Sequence, residues 1–142
     1  MASEANKSFP LWGKWLIYII IFSAVGALIV KQLPSGAYPT DLTRVGQGKP
    51  ALVLVYDVNT ANGMHVMELL KDLRLEYADR VEFLVANLGL PEGRSFAQHY
   101  KVGSGSVFMF KRDGELMRTI RKPESTAALQ QALDEVISTP SY

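Results

Sequence analysis

Met64, His65 and Met67 place two thioethers and an imidazole within about one turn of chain, and that soft donor set suits Cu(I). The same methionines fit equally well as core-filling side chains, because methionine adapts to irregular gaps. A metal site also needs ligands that converge, which one helical turn supplies only in part. Ser104 and Ser106 are the candidates for covalent chemistry, but a serine hydrolase needs a histidine base and an orienting acid beside the nucleophile. The 2 histidines, His65 and His99, stand in no such spacing. His99 reads instead as a surface or partly buried polar residue beside Tyr100. Gly103-Ser104-Gly105 lacks the lysine of a phosphate loop and leads into no helix, so it reads as a tight backbone path into a strand. Asp57 with Asn59 reads as a capping turn at a helix N-terminus. Cys is 0 in this chain, which removes disulfides, thiol nucleophiles, zinc thiolates and iron–sulfur clusters. No catalytic residue, resident cofactor or metal is expected, and Cu(I) carriage through Met64, His65 and Met67 stays as an alternative.

The elements that would position these residues emerge from periodicity. Ala51–Tyr56 (ALVLVY) is apolar at nearly every position, as in a strand buried on both faces. The turn Asp57–Thr60 leads into Ala61-Asn62-Gly63-Met64, where a helix begins, and a turn of this kind is where α/β folds place their chemistry. The helix runs to about Tyr77, with Val66, Leu69, Leu70, Leu73 and Tyr77 on one apolar stripe. Val81–Asn87 reads as a second strand. Gly89–Gly93, with Pro91, breaks the chain before a short helix at Arg94–Tyr100 that buries Phe96 and Tyr100. Ser106–Phe110 and Glu115–Ile120 flank the hairpin signal Lys111-Arg112-Asp113-Gly114. A last helix opens at Ser125 or Thr126 and carries Leu129, Ala132, Leu133, Val136 and Ile137 on its stripe. The order is βαβαββα, an α/β domain over residues 51–138.

Upstream, residues 11–33 hold one charge near each end, Lys14 and Lys31, around an otherwise apolar run. A stretch of about twenty apolar residues spans a bilayer, and the two lysines can reach outward to the interface. Trp12, Trp15, Tyr18 and Tyr38 are placed like interfacial aromatics. The small residues of Ser23–Ala27 lie inside the run, unlike the site that ends a cleaved signal peptide. Ser23 and Ala27 give a small-xxx-small spacing for packing against another membrane helix. Lys7, Lys14 and the α-amino group precede the run and Lys31 and Arg44 come after it, which favours a cytoplasmic N-terminus and, in a bacterium, a periplasmic domain. The expected layout is a tail at 1–10, an anchor helix at 11–33, a linker at 34–50 rich in Pro and Gly, the domain at 51–138 and a tail at 139–142.

With a net charge of +1 and a slightly acidic domain, the chain has no electrostatic footprint for nucleic acid. Its 48% apolar share excludes a largely unstructured chain.

Ala51–Met67 resembles the central strand, active-site turn and following helix of the thioredoxin superfamily. Tyr100-Lys101-Val102 resembles the segment entering that family's third strand. Phe110-Lys111-Arg112-Asp113-Gly114-Glu115 is similar to its Phe-Lys-x-Gly-Glu hairpin, one residue longer. The resemblance covers about residues 50–138 and implies a thioredoxin-like fold. It also implies an active site of Cys-Gly-Pro-Cys, whose first thiol is a nucleophile at a helix N-terminus. Here Ala61-Asn62-Gly63-Met64 occupy that turn. The family's buried acid falls at Val55, and its cis-proline falls in the region of Gly105 and Ser106, where no proline stands. Dithiol oxidoreductase activity is excluded by this chemistry. The expectation is a single-pass, redox-inert interaction or assembly module, an accessory subunit partnered with other membrane proteins. The alternative is a chaperone-like module that binds a peptide ligand in the cleft beside Ala61–Met64 and Gly103–Ser106.

Overall fold

Two β-branched valines and an aromatic Tyr56 among aliphatic neighbours favour extended backbone, and Ala51–Tyr56 forms the central strand β1. The computed structural model describes residues 10–32 and 37–140. The chain divides into two units, Met1–Ala37 and Tyr38–Tyr142.

In the first unit, α1 runs from Leu11 to Gln32, 22 residues and so about 33 Å long. It exposes large apolar side chains around its circumference, Leu11 at 79% and Phe22 at 81% among them, with Trp12, Trp15, Ile17, Ile19, Ile20 and Val25 also outward. The helix occupies all but the last residue of the stretch expected as an anchor, and that residue, Leu33, lies outside the described residues. The described side chains stop at Ala27. Among the described residues no helix is long and apolar enough to cross a membrane.

In the second unit, α2 (Ala61–Tyr77) comes after β1, then β2 (Glu82–Asn87), α3 (Pro91–Tyr100), β3 (Val107–Phe110), β4 (Leu116–Ile120) and α4 (Thr126–Ser138). The four strands form one sheet in the order β2-β1-β3-β4. β1 pairs with β2 in parallel, from Ala51 opposite Glu82 to Tyr56 opposite Asn87. It pairs antiparallel with β3, and β3 antiparallel with β4. Alternation along β1 sends Leu52 and Leu54 to one face and Ala51, Val53 and Val55 to the other. The first face packs with Val66, Leu70, Leu73 and Tyr77 of α2 and Leu129, Ala132, Leu133 and Val136 of α4. The second packs against α3 through Ala97, with Phe96 and Tyr100 partly buried there. Both stripes expected for α2 and α4 are the buried ones, except that Leu69 and Ile137 stay half-exposed.

Three local departures have plain causes. Pro91 does not break the chain ahead of a later helix; it opens α3 at the first helical position, where its missing N–H costs nothing. Asp41–Val45 is a 3-10 turn over Leu42–Arg44, capped by the Asp41 carboxylate accepting from Thr43 N at 3.1 Å. The second half of the proline-rich stretch packs on the domain, so this unit begins upstream of Ala51. Leu42 and Val45 join the second core face. Pro39 accepts from Val85 N at 2.9 Å, which covers part of the outer edge of β2. The Arg74 guanidinium lies 4.3 Å from the centre of the Tyr38 ring. Burial raises the Tyr38 pKa above its ordinary 10.0, with Arg74 opposing.

Candidate functional site

The parallel pairing of β1 and β2 puts the turns that leave them at the same end of the sheet, and the N-terminus of α2 and the loop before β3 meet there. Thr60 caps α2, its Oγ1 accepting from Gly63 N at 3.3 Å. The Asp57 carboxylate folds its own turn by accepting from Asn59 N at 2.9 Å and Asn59 Nδ2 at 3.1 Å, which is the capping-turn role read from the sequence.

The loop before β3 completes the arrangement. Asp57 N donates to Ser104 Oγ at 3.0 Å. Ser104 Oγ and Thr60 Oγ1 are 2.6 Å apart, and Thr60 Oγ1 lies 3.0 Å from the Asp57 carbonyl oxygen. Each hydroxyl has one proton to give. Thr60 therefore donates to the Asp57 carbonyl and Ser104 donates to Thr60, closing a ring from the Asp57 N–H through both hydroxyls back to the Asp57 C=O. Every polar atom in the ring has a partner, and the ring contains no imidazole or carboxylate that could serve either hydroxyl as a base.

Two glycines make this approach possible. A Cβ on Gly63 would stand 2.5 Å from Ser104 Oγ and 3.0 Å from the Asp57 carbonyl oxygen. Gly105 has φ +92°, and a Cβ there would meet Asn62 Cβ at 3.1 Å. Gly105 N donates to Val55 O at 2.8 Å, and Ser106 O accepts from Val55 N at 2.9 Å. The segment facing the turn is thus an extension of the β1–β3 ladder built around a left-handed glycine. No cis peptide bond occurs among the described residues.

The sequence-derived positions separate in space. Gly63 is buried, Ala61 and Asn62 are exposed, and Ser106 is 4% exposed. Met64 is 54% exposed and does not fill the core; it falls off the stripe on which Val66 and Leu70 sit. His65 is exposed beside it, whereas Met67 is half-buried against the first core face. Among the described residues no group of three His, Cys, Asp or Glu could hold a metal. Val55, at the position of the family's buried acid, is 0% exposed within a wholly apolar cluster. Ser23 and Ala27 lie exposed on α1, four residues apart and so on the same side of the helix. The link that sequence reasoning missed is Thr60 to Ser104. Thr60 was findable as a Thr three residues before a buried helical glycine, the position of an N-cap; nothing near Ser104 marks it as the partner.

No family model matches the sequence, and no curated protein matches it. Solved structures do match. Trxlp from Edwardsiella tarda EIB202 is 20% identical, with a TM-score of 0.57 over 68% of this chain and 96% of that one. A chain from the structural work on thiol resolving in yeast mitochondrial 1-Cys peroxiredoxin via glutathione/thioredoxin systems is 18% identical. Its TM-score is 0.57, over 70% of this chain and 95% of that one. A thioredoxin from Thermus thermophilus is 15% identical, with a TM-score of 0.60 over 71% of this chain and 85% of that one. At such identities the likeness is one of fold: the domain is thioredoxin-like, and it contains no cysteine.

Proposed function

We propose that the chain is a single-pass membrane protein whose redox-inert thioredoxin-like domain serves as an accessory, assembly-promoting subunit of a membrane complex. The observation that carries this reading is α1, a 22-residue helix with Leu11, Trp12, Trp15, Ile19, Ile20 and Phe22 all exposed. A helix apolar on every side is stable where its surroundings are apolar too. The described side chains end at Ala27, short of the about twenty that a span needs, and the sequence carries the run on through Leu28-Ile29-Val30 before Lys31. Ser23 and Ala27 are the places where a second membrane helix would approach closely. With N-terminus inside, the domain faces the periplasm if the source is bacterial.

The domain supports a binding role over a catalytic one. Disulfide exchange requires a thiolate, and this chain has no cysteine to supply one. The hydroxyls nearest the old active-site position are spent on each other and on the turn backbone. A second reading, a peptide-binding module, is favoured by the exposure of Val58 at 65%, Met64 at 54% and Leu90 at 41%. Val58 and Leu90 belong to the two turns that share one end of the sheet, and Met64 to the first turn of α2.

Extraction and purification test both. The full chain should remain with membranes through an alkaline carbonate wash, leave them in mild detergent, and emerge with a partner at fixed stoichiometry. Release by carbonate would remove the anchor. A mixture of unfolded clients in place of one partner would select the peptide-binding reading.

A further inference from the structure

A groove of about 560 Å³ lies beside α3, lined by Leu88, Arg94, Ala97, Gln98, Lys101 and Val102. Positions 94, 97, 98 and 101 recur at i, i+3, i+4 and i+7, so they share one side of α3 and of the residue that caps it. The floor is apolar: Ala97 is 6% exposed, and Leu88 and Val102 pack on the second core face. The ends are cationic. Arg94 is held in place by donating from Nη1 to the carbonyls of Leu88 and Gly89, both at 3.3 Å. Lys101 closes the helix at φ 53°, the left-handed region where glycine is the unstrained choice. A lysine held there keeps a positive charge at the groove's mouth in spite of its backbone. Among the described residues neither Arg94 nor Lys101 forms an ion pair with a carboxylate.

The size lies within the range of ligand sites, but an apolar floor gives a bare anion no donors along most of its surface. A chain that presents carboxylates at two places and an apolar side chain between them matches both cations and the apolar floor, and leaves Gln98 to hydrogen-bond its backbone. Seven helical residues separate the two cations by about 10 Å. In an extended segment alternate side chains share a face, and residues i and i+4 lie about 13 Å apart. The length of the Arg and Lys side chains covers the difference.

We propose that the groove beside α3 docks an extended acidic segment of a partner protein, with the pattern acidic-x-apolar-x-acidic. Its carboxylates pair with Arg94 and Lys101, and its apolar residue rests on Leu88, Ala97 and Val102. This rests on the reading of the chain as an interaction module and places the partner's contact away from the old active-site turn.

The probe is a fluorescein-labelled peptide, Gly-Glu-Ser-Leu-Ser-Glu-Gly, titrated with the full chain in detergent and followed by anisotropy. Saturable binding is expected, weakened about tenfold in Lys101→Glu, as loss of one charge-assisted contact implies. Lys101→Gly relieves the left-handed backbone, so it folds at least as well as the parent and should still bind more weakly. Equal affinity for Lys101→Glu and parent, equal affinity for the peptide with both Glu replaced by Lys, or no binding at all would overturn the proposal. Purifying the Lys101→Glu variant from membranes separates the two levels. A partner retained by variant and parent alike removes the groove and leaves the subunit reading; no partner with either removes the reading itself.

Discussion

Thr60 Oγ1 sits 2.6 Å from Ser104 Oγ, and this pair of hydroxyls ties the turn after β1 to the loop before β3. The residues are 44 apart in sequence, so the bond fixes a long-range relationship that neither turn could hold alone. Here the groups are neutral and mutually satisfied, and the corner is a structural joint.

Ser104→Ala opens the ring. The Asp57 N–H loses its acceptor in a partly buried place, and Thr60 loses one donor. The expected cost is about 1–2 kcal/mol, read as a fall of several degrees in the thermal midpoint. An unchanged midpoint would mean that water replaces the hydroxyl without loss.

Gly63→Ala tests the same joint from the helix side. Glycine to alanine inside a helix ordinarily stabilises by about 1 kcal/mol. At Gly63 the new Cβ meets Ser104 Oγ at 2.5 Å and the Asp57 carbonyl oxygen at 3.0 Å, so the sign reverses and the variant should be less stable than the parent. Combining it with Ser104→Ala removes the nearest obstacle and leaves the Asp57 carbonyl oxygen and Thr60 Oγ1, both at 3.0 Å. In a double-mutant cycle read by denaturant unfolding, the pair should therefore cost less than the sum of the single changes. Simple additivity would place the obstruction elsewhere.

Tyr77 joins α2 to α4 by donating its hydroxyl to Asp134 Oδ1 at 2.7 Å. That bond, together with burial, raises the Tyr77 pKa above its ordinary 10.0. A raised folded-state value means that the folded chain holds the proton longer than the unfolded one. The stabilisation is complete below pH 10 and is lost as pH climbs through the folded-state value. Tyr77→Phe should cost about 1 kcal/mol at neutral pH and flatten the loss of stability above pH 10. Parallel pH profiles for variant and parent would count against this linkage.

Lys101 gives a prediction on stability independent of any ligand. Replacing it with glycine at φ 53° should raise stability by about 1 kcal/mol, measurable by chemical denaturation. A loss would show that the lysine side chain contributes more to the fold than its backbone costs.

The fold is legible in the chain because its signals are periodic and local. Ala51–Tyr56 is continuous in apolar residues, and Val66, Leu70, Leu73 and Tyr77 repeat at helical spacing, so strand, helix and buried face emerge together. Pro91 misleads because a proline that interrupts a helix and one that starts a helix look alike until the N-terminus is fixed. The packing of Leu42 and Val45 is hidden by the glycines and prolines around them, which read as linker. Met64 suits the core by residue type, whereas its spacing from Val66 sets it outside. The site is legible in the groups it lacks, the cysteines, the acid at Val55 and the proline near Gly105. The bond from Thr60 to Ser104 is not, because a contact between two distant loops leaves no periodic trace.

On the proposed reading, the exposed apolar helix and the cysteine-free thioredoxin-like domain belong to a subunit of a membrane complex. Purification of the full chain from membranes in mild detergent, with measurement of the proteins that accompany it, tests that claim directly. The expected result is one partner in constant ratio to this chain through successive columns. A chain that elutes alone, or with a shifting mixture of unfolded proteins, would contradict it.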